Sequence, residues 1–215
     1  MKKLLLLFIS VGLLSLACQN NQQKTTEKTP PQKQVLQSAK WLLNGKASTI
    51  EWTGYKTTGK IPVKGVFKSF KIENVPPATD LKTALEQAKA EIDVTSIFSN
   101  NEGRDKKLVE QLFDKMLQTQ KIEASIKKID VANQTAMVNI KMNGQEKTVP
   151  MKLHIDENKG QVELAGQIDL IKDFKAGTVL ENFHKACFDK HTGPDGISKT
   201  WSTVDVKAHL VFQKK

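Results

Sequence analysis

Two short turns restrict the fold of this chain more than any other feature: Asn143-Gly144 and Asn158 to Gly160, each set between runs in which apolar and polar residues alternate. Ala136, Val138, Ile140 and Met142 precede the first turn, and Val149, Met151, Leu153 and Ile155 follow it; Val162, Leu164, Gly166, Ile168 and Leu170 follow the second. A period of two places every other side chain on one face of a strand. Asn-Gly supplies the left-handed backbone that a tight hairpin needs. The stretch therefore reads as successive antiparallel strands with one apolar face, and that face must be buried.

The same alternation recurs at Ile50 and Trp52, at Ile61, Val63, Gly65 and Phe67, at Ala90, Ile92 and Val94, at Ile122, Ala124 and Ile126, and from Val204 to Phe212. Its parity switches between Phe67 and Phe70 and again between Ile126 and Ile129. A β-bulge near Lys68 and Ser69, and a second at Lys127 and Lys128, would restore the inward direction and bend the strand. The fold class expected is mainly β: an eight-stranded antiparallel barrel with helical insertions, closed so that it has no open edge. At 215 residues the chain has room for one such domain and short appendages. No internal repeat is evident.

Helices are expected at three places. Asp80 can cap a short one carrying Leu81, Ala84, Leu85 and Ala88, and a later one over Thr178 to about Asp189 would turn Val179, Leu180, Phe183 and Cys187 inward. Between them, Asn100 or Asn101 can cap a helix with Glu102 and Asp105 in its first turn and the stripe Leu108, Val109, Leu112, Phe113 and Met116.

The strand and turn before that helix carry Ser96, Ile97, Ser99 and Asn100, followed by Arg104-Asp105, Leu108 and Phe113. This pattern resembles the YceI-like family of small secreted or periplasmic lipid-binding proteins, over roughly Leu42 to Phe212. The resemblance implies a lipocalin-like barrel that sequesters or transports a long apolar lipid, an isoprenoid, quinone or fatty amide, with no cofactor and no catalysis. Trp52, Phe67, Phe70, Ile92, Val94, Val138, Leu153 and Leu164 are the candidates to line its interior, and Gly65 and Gly166 the places where volume is left unfilled. The alternation alone is met equally by a barrel packed solid, so a structural or stress-associated lipoprotein without a ligand stands as the alternative.

Met1 to Cys18 has two lysines, an apolar run too short to span a bilayer, and small residues before a cysteine. We read it as a lipoprotein signal peptide with Cys18 as the acylated residue; the alternative is an ordinary cleavage site and a free thiol. Gln19, not aspartate, follows the cysteine, which by resemblance sends the protein to the bacterial outer membrane, lipid-anchored and facing the periplasm. Residues 19–40, rich in Gln, Thr, Lys and Pro, have little to bury and are expected to form a disordered tether to a domain at 41–215.

Arg104 is the only arginine in the chain. A planar, bidentate donor suits a lipid headgroup, and it equally suits a structural ion pair to Asp93 or Asp105. His184, Cys187 and His191 fall at helical spacings and form a candidate metal set, against which stands the bland reading of a buried cysteine flanked by polar contacts. With Cys18 acylated, Cys187 has no disulfide partner. No phosphate loop, nucleophile elbow or HExxH is present. The formal charge of +10 is nearly all lysine, scattered along strands, which argues for solubility and anionic lipid surfaces rather than nucleic acid. Nothing in the pattern decides between a monomer and a homodimer.

Overall fold

The computed structural model describes residues 40–215. The expected signal segment, Cys18 and nearly all of the tether lie outside the described residues.

Among the described residues, eleven strand segments, rather than eight, form an antiparallel sheet that curls into a barrel. They are β1 (Trp41–Leu43), β2 (Thr49–Lys56), β3 (Ile61–Phe67), β4 (Phe70–Glu73), β5 (Lys89–Asp93), β6 (Ile97–Phe98), β7 (Lys121–Asp130), β8 (Thr135–Met142), β9 (Gln145–Asp156), β10 (Gln161–Asp169) and β11 (Thr203–Lys214). Helix α1 (Leu81–Leu85) precedes β5, α2 (Glu102–Gln111) follows β6, and α3 (Gly177–Ala186) and α4 (Phe188–His191) lie between β10 and β11. Two of the three extra segments have a local cause, and the third is the short β1, which pairs with β11 off the main path of the sheet. β3 with β4, and β5 with β6, are two runs of chain, each broken by a bend.

At the first bend, Lys68 and Ser69 leave the ladder between β2 and β6, and the chain resumes against β5. The break is wider than a single bulge, yet it is stitched: Lys68 N donates to Ser96 O at 3.1 Å and Asp93 N to Ser69 O at 3.1 Å. The second bend is a 3-10 turn, Val94–Ser96, whose Thr95 N–H donates to the Asp93 carboxylate at 2.9 Å. Val94, expected on the inward face of a strand, therefore sits in this turn, fully buried. Because the two bent runs pair with each other while β3 pairs β2 and β5 pairs β7, the sheet returns to where it started. Between Ile126 and Lys128 the register against β8 shifts by one residue, which is the bulge expected at Lys127.

The hairpin logic holds at Asn143-Gly144: Met142 pairs with Gln145, and both turn residues have positive φ, 51° and 65°. An L-residue in place of the glycine would be strained there. Helix α2 differs from expectation. Asn101 caps it by accepting from Arg104 N at 2.9 Å, but it ends at Gln111, and none of its own residues is buried. Leu108 and Val109 are its only long aliphatic residues, so the burial falls to Leu112, Phe113 and Met116, which lie in and around the following 3-10 turn. Phe113 meets Phe67 of β3 edge to face, with ring centres 6.3 Å apart.

Seven strand ends define one end of the barrel: β2, β8 and β10 finish there, and β3, β7, β9 and β11 begin there. Helices α2 and α3 are inserted at this end and touch each other, Lys107 Nζ donating to the Ala186 carbonyl at 2.8 Å.

Candidate ligand cavity and its mouth

The inward residues do not fill the barrel. A wholly apolar chamber of about 140 Å³ is bounded by Ile92, Val138, Leu164 and their neighbours. A second, of about 530 Å³, lies toward the helical end, between Trp52 and Phe67 on one side and Leu108, Leu112, Leu180 and Phe183 of the helical insertions on the other. Phe67, Ile122, Met142, Ile168 and Val206 wall both. The chambers thus follow one another along the barrel. Drug-sized ligands occupy sites of roughly 300–1,000 Å³.

Five of the expected lining residues, Trp52, Phe67, Ile92, Val138 and Leu164, bound this space. Phe70, Val94 and Leu153 are not among its walls. Phe70 is half-buried at the bend into β4, Val94 lies in the turn, and Leu153 is buried on β9, where it faces Leu164 across the ladder. The glycines do not leave space free. A side chain at Gly65 would meet the Trp52 indole at 2.5 Å, and one at Gly166 would meet Met151 at 3.0 Å, so neighbouring side chains already fill both positions.

The second chamber changes character toward its mouth. Lys56, Arg104, Lys107 and Lys190 bound it there, together with His191, Thr200, Trp201 and Tyr55, and no aspartate or glutamate belongs to its wall. The histidines are organised around Thr200, whose hydroxyl lies 3.0 Å from His184 Nδ1 and 2.6 Å from His191 Nδ1. Burial, then the positive charges of Lys56, His184 and Lys107, push the His191 pKa down to about 4. Lys56 Nζ donates to the Lys190 carbonyl at 3.2 Å, and Trp201 Nε1 to the Thr57 carbonyl at 2.8 Å, tying the hairpin after β2 to the segment before β11.

Arg104 and Asp105 converge on one residue. Arg104 Nε donates to Ser99 Oγ at 2.7 Å and its Nη2 to the Ser99 carbonyl at 3.1 Å, while the Asp105 carboxylate accepts from Ser99 N and Oγ. The expected ion pair from Arg104 to Asp93 or Asp105 is replaced by this clasp, since among the described residues Arg104 has no salt bridge. His184, Cys187 and His191 do not come together as a set. The histidines meet Thr200, Cys187 is buried with its thiol pKa pushed up by desolvation, and among the described residues no group of His, Cys, Asp and Glu is placed to hold a metal ion.

Lys56, Lys107, Lys190, Thr200 and Trp201 escaped the sequence reading. They lie at strand ends, on an exposed helix and in a long connection, where no periodicity singles them out.

A search of curated proteins found no match. Among solved structures, the chain is similar to Burkholderia cenocepacia BcnA at 15% identity and TM-score 0.55, over 79% of this chain and 98% of that one. It is also similar to a polyisoprenoid binding domain from Saccharophagus degradans, at 12% identity and TM-score 0.57, over 81% and 98%. At such identities these likenesses concern the fold. The family model for the YceI-like domain matches residues 41–212, and the chain belongs to that family.

Proposed function

We propose that this protein binds one long-chain lipid, of isoprenoid type with an anionic head, and holds it for sequestration or transport. The observation that carries this reading is the adjacency of two chambers, which share five wall residues, the larger having a mouth that holds four cationic side chains and no carboxylate in its wall. Each buried methylene contributes about 0.8 kcal/mol, so on the order of ten would give several kcal/mol after ordering costs. The mouth then discriminates by charge. A phosphate or comparable head would sit among Lys56, Arg104, Lys107 and Lys190, where low local polarity strengthens the attraction. The polyisoprenoid-binding description of the Saccharophagus degradans domain supports the chain type.

The role is binding rather than catalysis. Among the described residues Cys187 is the one free cysteine, and its raised pKa keeps it a thiol. We further read Met1 to Cys18 as a lipoprotein signal and place the domain on a tether at the outer membrane, facing the periplasm. Loss of palmitate labelling in Cys18→Ser checks this; labelling that persists contradicts it.

The test of the ligand is a competition assay on the delipidated full chain with a polyprenol, its phosphate and a plain hydrocarbon of equal length. The reading expects the phosphate to bind most tightly and Lys107→Glu with Lys190→Glu to remove its advantage. Equal affinity for all three contradicts the anionic head.

A further inference from the structure

Among the described residues, large apolar side chains left in solvent are concentrated at the end of the barrel where the mouth lies. Phe188 is 53% exposed, Ile197 56%, Ile61 47%, Leu117 63% and Ile171 45%; the opposite end has only Val131 at 47%. Phe98, at 36%, is covered by the Lys68 ammonium 3.3 Å from its ring centre. Isolated exposed apolar residues are ordinary, whereas their gathering at one end is not.

Phe188 and Ile197 are tied into one segment. The Phe188 carbonyl accepts from Thr192 Oγ1 at 2.9 Å and from Ser198 Oγ at 2.8 Å, and Gly193 N donates to the Ile197 carbonyl at 3.0 Å. This segment is tied to the tip of the hairpin after β2 by Thr57 N donating to the Lys199 carbonyl at 2.8 Å and by Thr58 bonding to Asp195. Lysines surround the apolar tips. Lys56, Lys60, Lys190 and Lys199 belong to these same segments and Lys107 to the neighbouring α2, and none of them is ion-paired among the described residues. Two carboxylates lie in this segment: Asp195 is engaged by the Thr58 hydroxyl and the Ile197 N–H, and Asp189, exposed beside Phe188, still leaves the five lysines in excess.

We propose that this end is a docking surface for an anionic lipid bilayer. Phe188 and Ile197 enter the boundary between headgroups and acyl chains, and the five lysines meet the lipid phosphates, so that the cavity mouth faces the membrane. Apolar tips within a ring of unpaired lysine suit an interface that is apolar just beneath a negatively charged layer. A protein partner would need an acidic rim around an apolar centre, and a second copy of this end would bring lysine against lysine. Among the described residues no helix is long and apolar enough to cross a membrane. The proposal gives the lipid carrier described above its route of loading, but docking needs no cavity ligand and can be measured separately.

The test uses the full chain carrying Cys18→Ser, so that no acyl anchor holds it on vesicles, with Phe188→Trp, Ile197→Trp or, at the far end, Val131→Trp, each measured against the chain without the added tryptophan to remove the signal of the native ones. Vesicles contain brominated acyl chains, either as phosphatidylcholine alone or with about a third phosphatidylglycerol. Docking predicts a blue shift and strong quenching at positions 188 and 197 on the anionic vesicles, reduced about tenfold by high salt or by neutral lipid, with position 131 unaffected. Phe188→Ser with Ile197→Ser should weaken vesicle partitioning by about tenfold in the same chain. Equal quenching at both ends, quenching that ignores lipid charge and salt, or self-association without vesicles that the double serine variant abolishes would each overturn the proposal. Because the vesicles contain no polyprenoid, failure here leaves lipid binding in the cavity untouched, and success does not depend on it.

Discussion

Trp52 of β2 lies across the ladder from Gly65 of β3, and its indole occupies the space that a side chain at Gly65 would take. An added Cβ would come within 2.5 Å of the ring and 2.6 Å of the Phe98 carbonyl oxygen, and neither the strand pairing nor the β6 backbone can easily give. Gly65→Ala should therefore cost about 1–3 kcal/mol in urea unfolding. Because Trp52 walls the larger chamber, the displaced ring should also weaken lipid binding. A variant as stable as the parent would show that the indole has somewhere else to go.

Phe113 joins the turn after α2 to the barrel wall through Phe67 and is itself buried. Truncation to alanine removes that contact and enlarges the chamber, so stability should fall by about 3 kcal/mol or more. Thermal melting of the ligand-free protein gives the figure; a loss under 1 kcal/mol would mean that the site collapses or that the ring contributes little.

Arg104 reaches Ser99 through two different nitrogens, a geometry that the single ammonium of lysine does not reproduce. Arg104→Lys is expected to lower stability by about 1–2 kcal/mol while keeping the charge at the mouth. Affinity for a polyprenyl phosphate should then stay within about threefold of the parent, which is less than 1 kcal/mol. Unchanged melting with a large loss of phosphate binding would instead show that Arg104 serves the head through its planar fork, and not through charge alone while its fork holds Ser99.

His191 gives stability a pH dependence with a definite sign. Its folded pKa, about 4, lies below the ordinary 6.5, so between those values the unfolded chain takes up a proton that the folded one refuses. The linkage contribution is fully present above the unfolded pKa and is lost as pH falls from about 6.5 toward 4. The melting temperature should fall through that window, and His191→Gln should flatten the fall. Parallel curves for the two proteins would place the buried proton-refusing group elsewhere.

What could be read from the sequence was what has a period. The strands from Ala136 to Leu170 and the turn at Asn143-Gly144 follow from alternation and turn chemistry, and the bulge at Lys127 from a change of parity. The same parity argument at Lys68 gave a bend but not its partner: the turn at Val94 depends on the Asp93 side chain and on contacts between two strands far apart in sequence. Alternation alone therefore places Val94 on a strand, whereas it lies in the turn. The stripe extended to Met116 because spacing alone cannot distinguish an α-helix from a helix followed by a 3-10 turn. The mouth was the least legible part. Lys56, Lys107 and Lys190 look like any of the chain's other lysines until folding brings the three segments together, and the two histidines find a common partner in Thr200 only across the connection that precedes β11.

Native mass spectrometry of the full chain, purified gently from the cell that makes it and measured before and after solvent extraction, tests the central claim most directly. The account predicts one additional mass per chain, removed by extraction, with the fragmentation of a long isoprenoid lipid bearing an acidic head, and predicts that the extracted protein takes up one polyprenyl phosphate in its place. A chain that carries no lipid as purified, and that binds neither polyprenol nor polyprenyl phosphate after extraction, would contradict it.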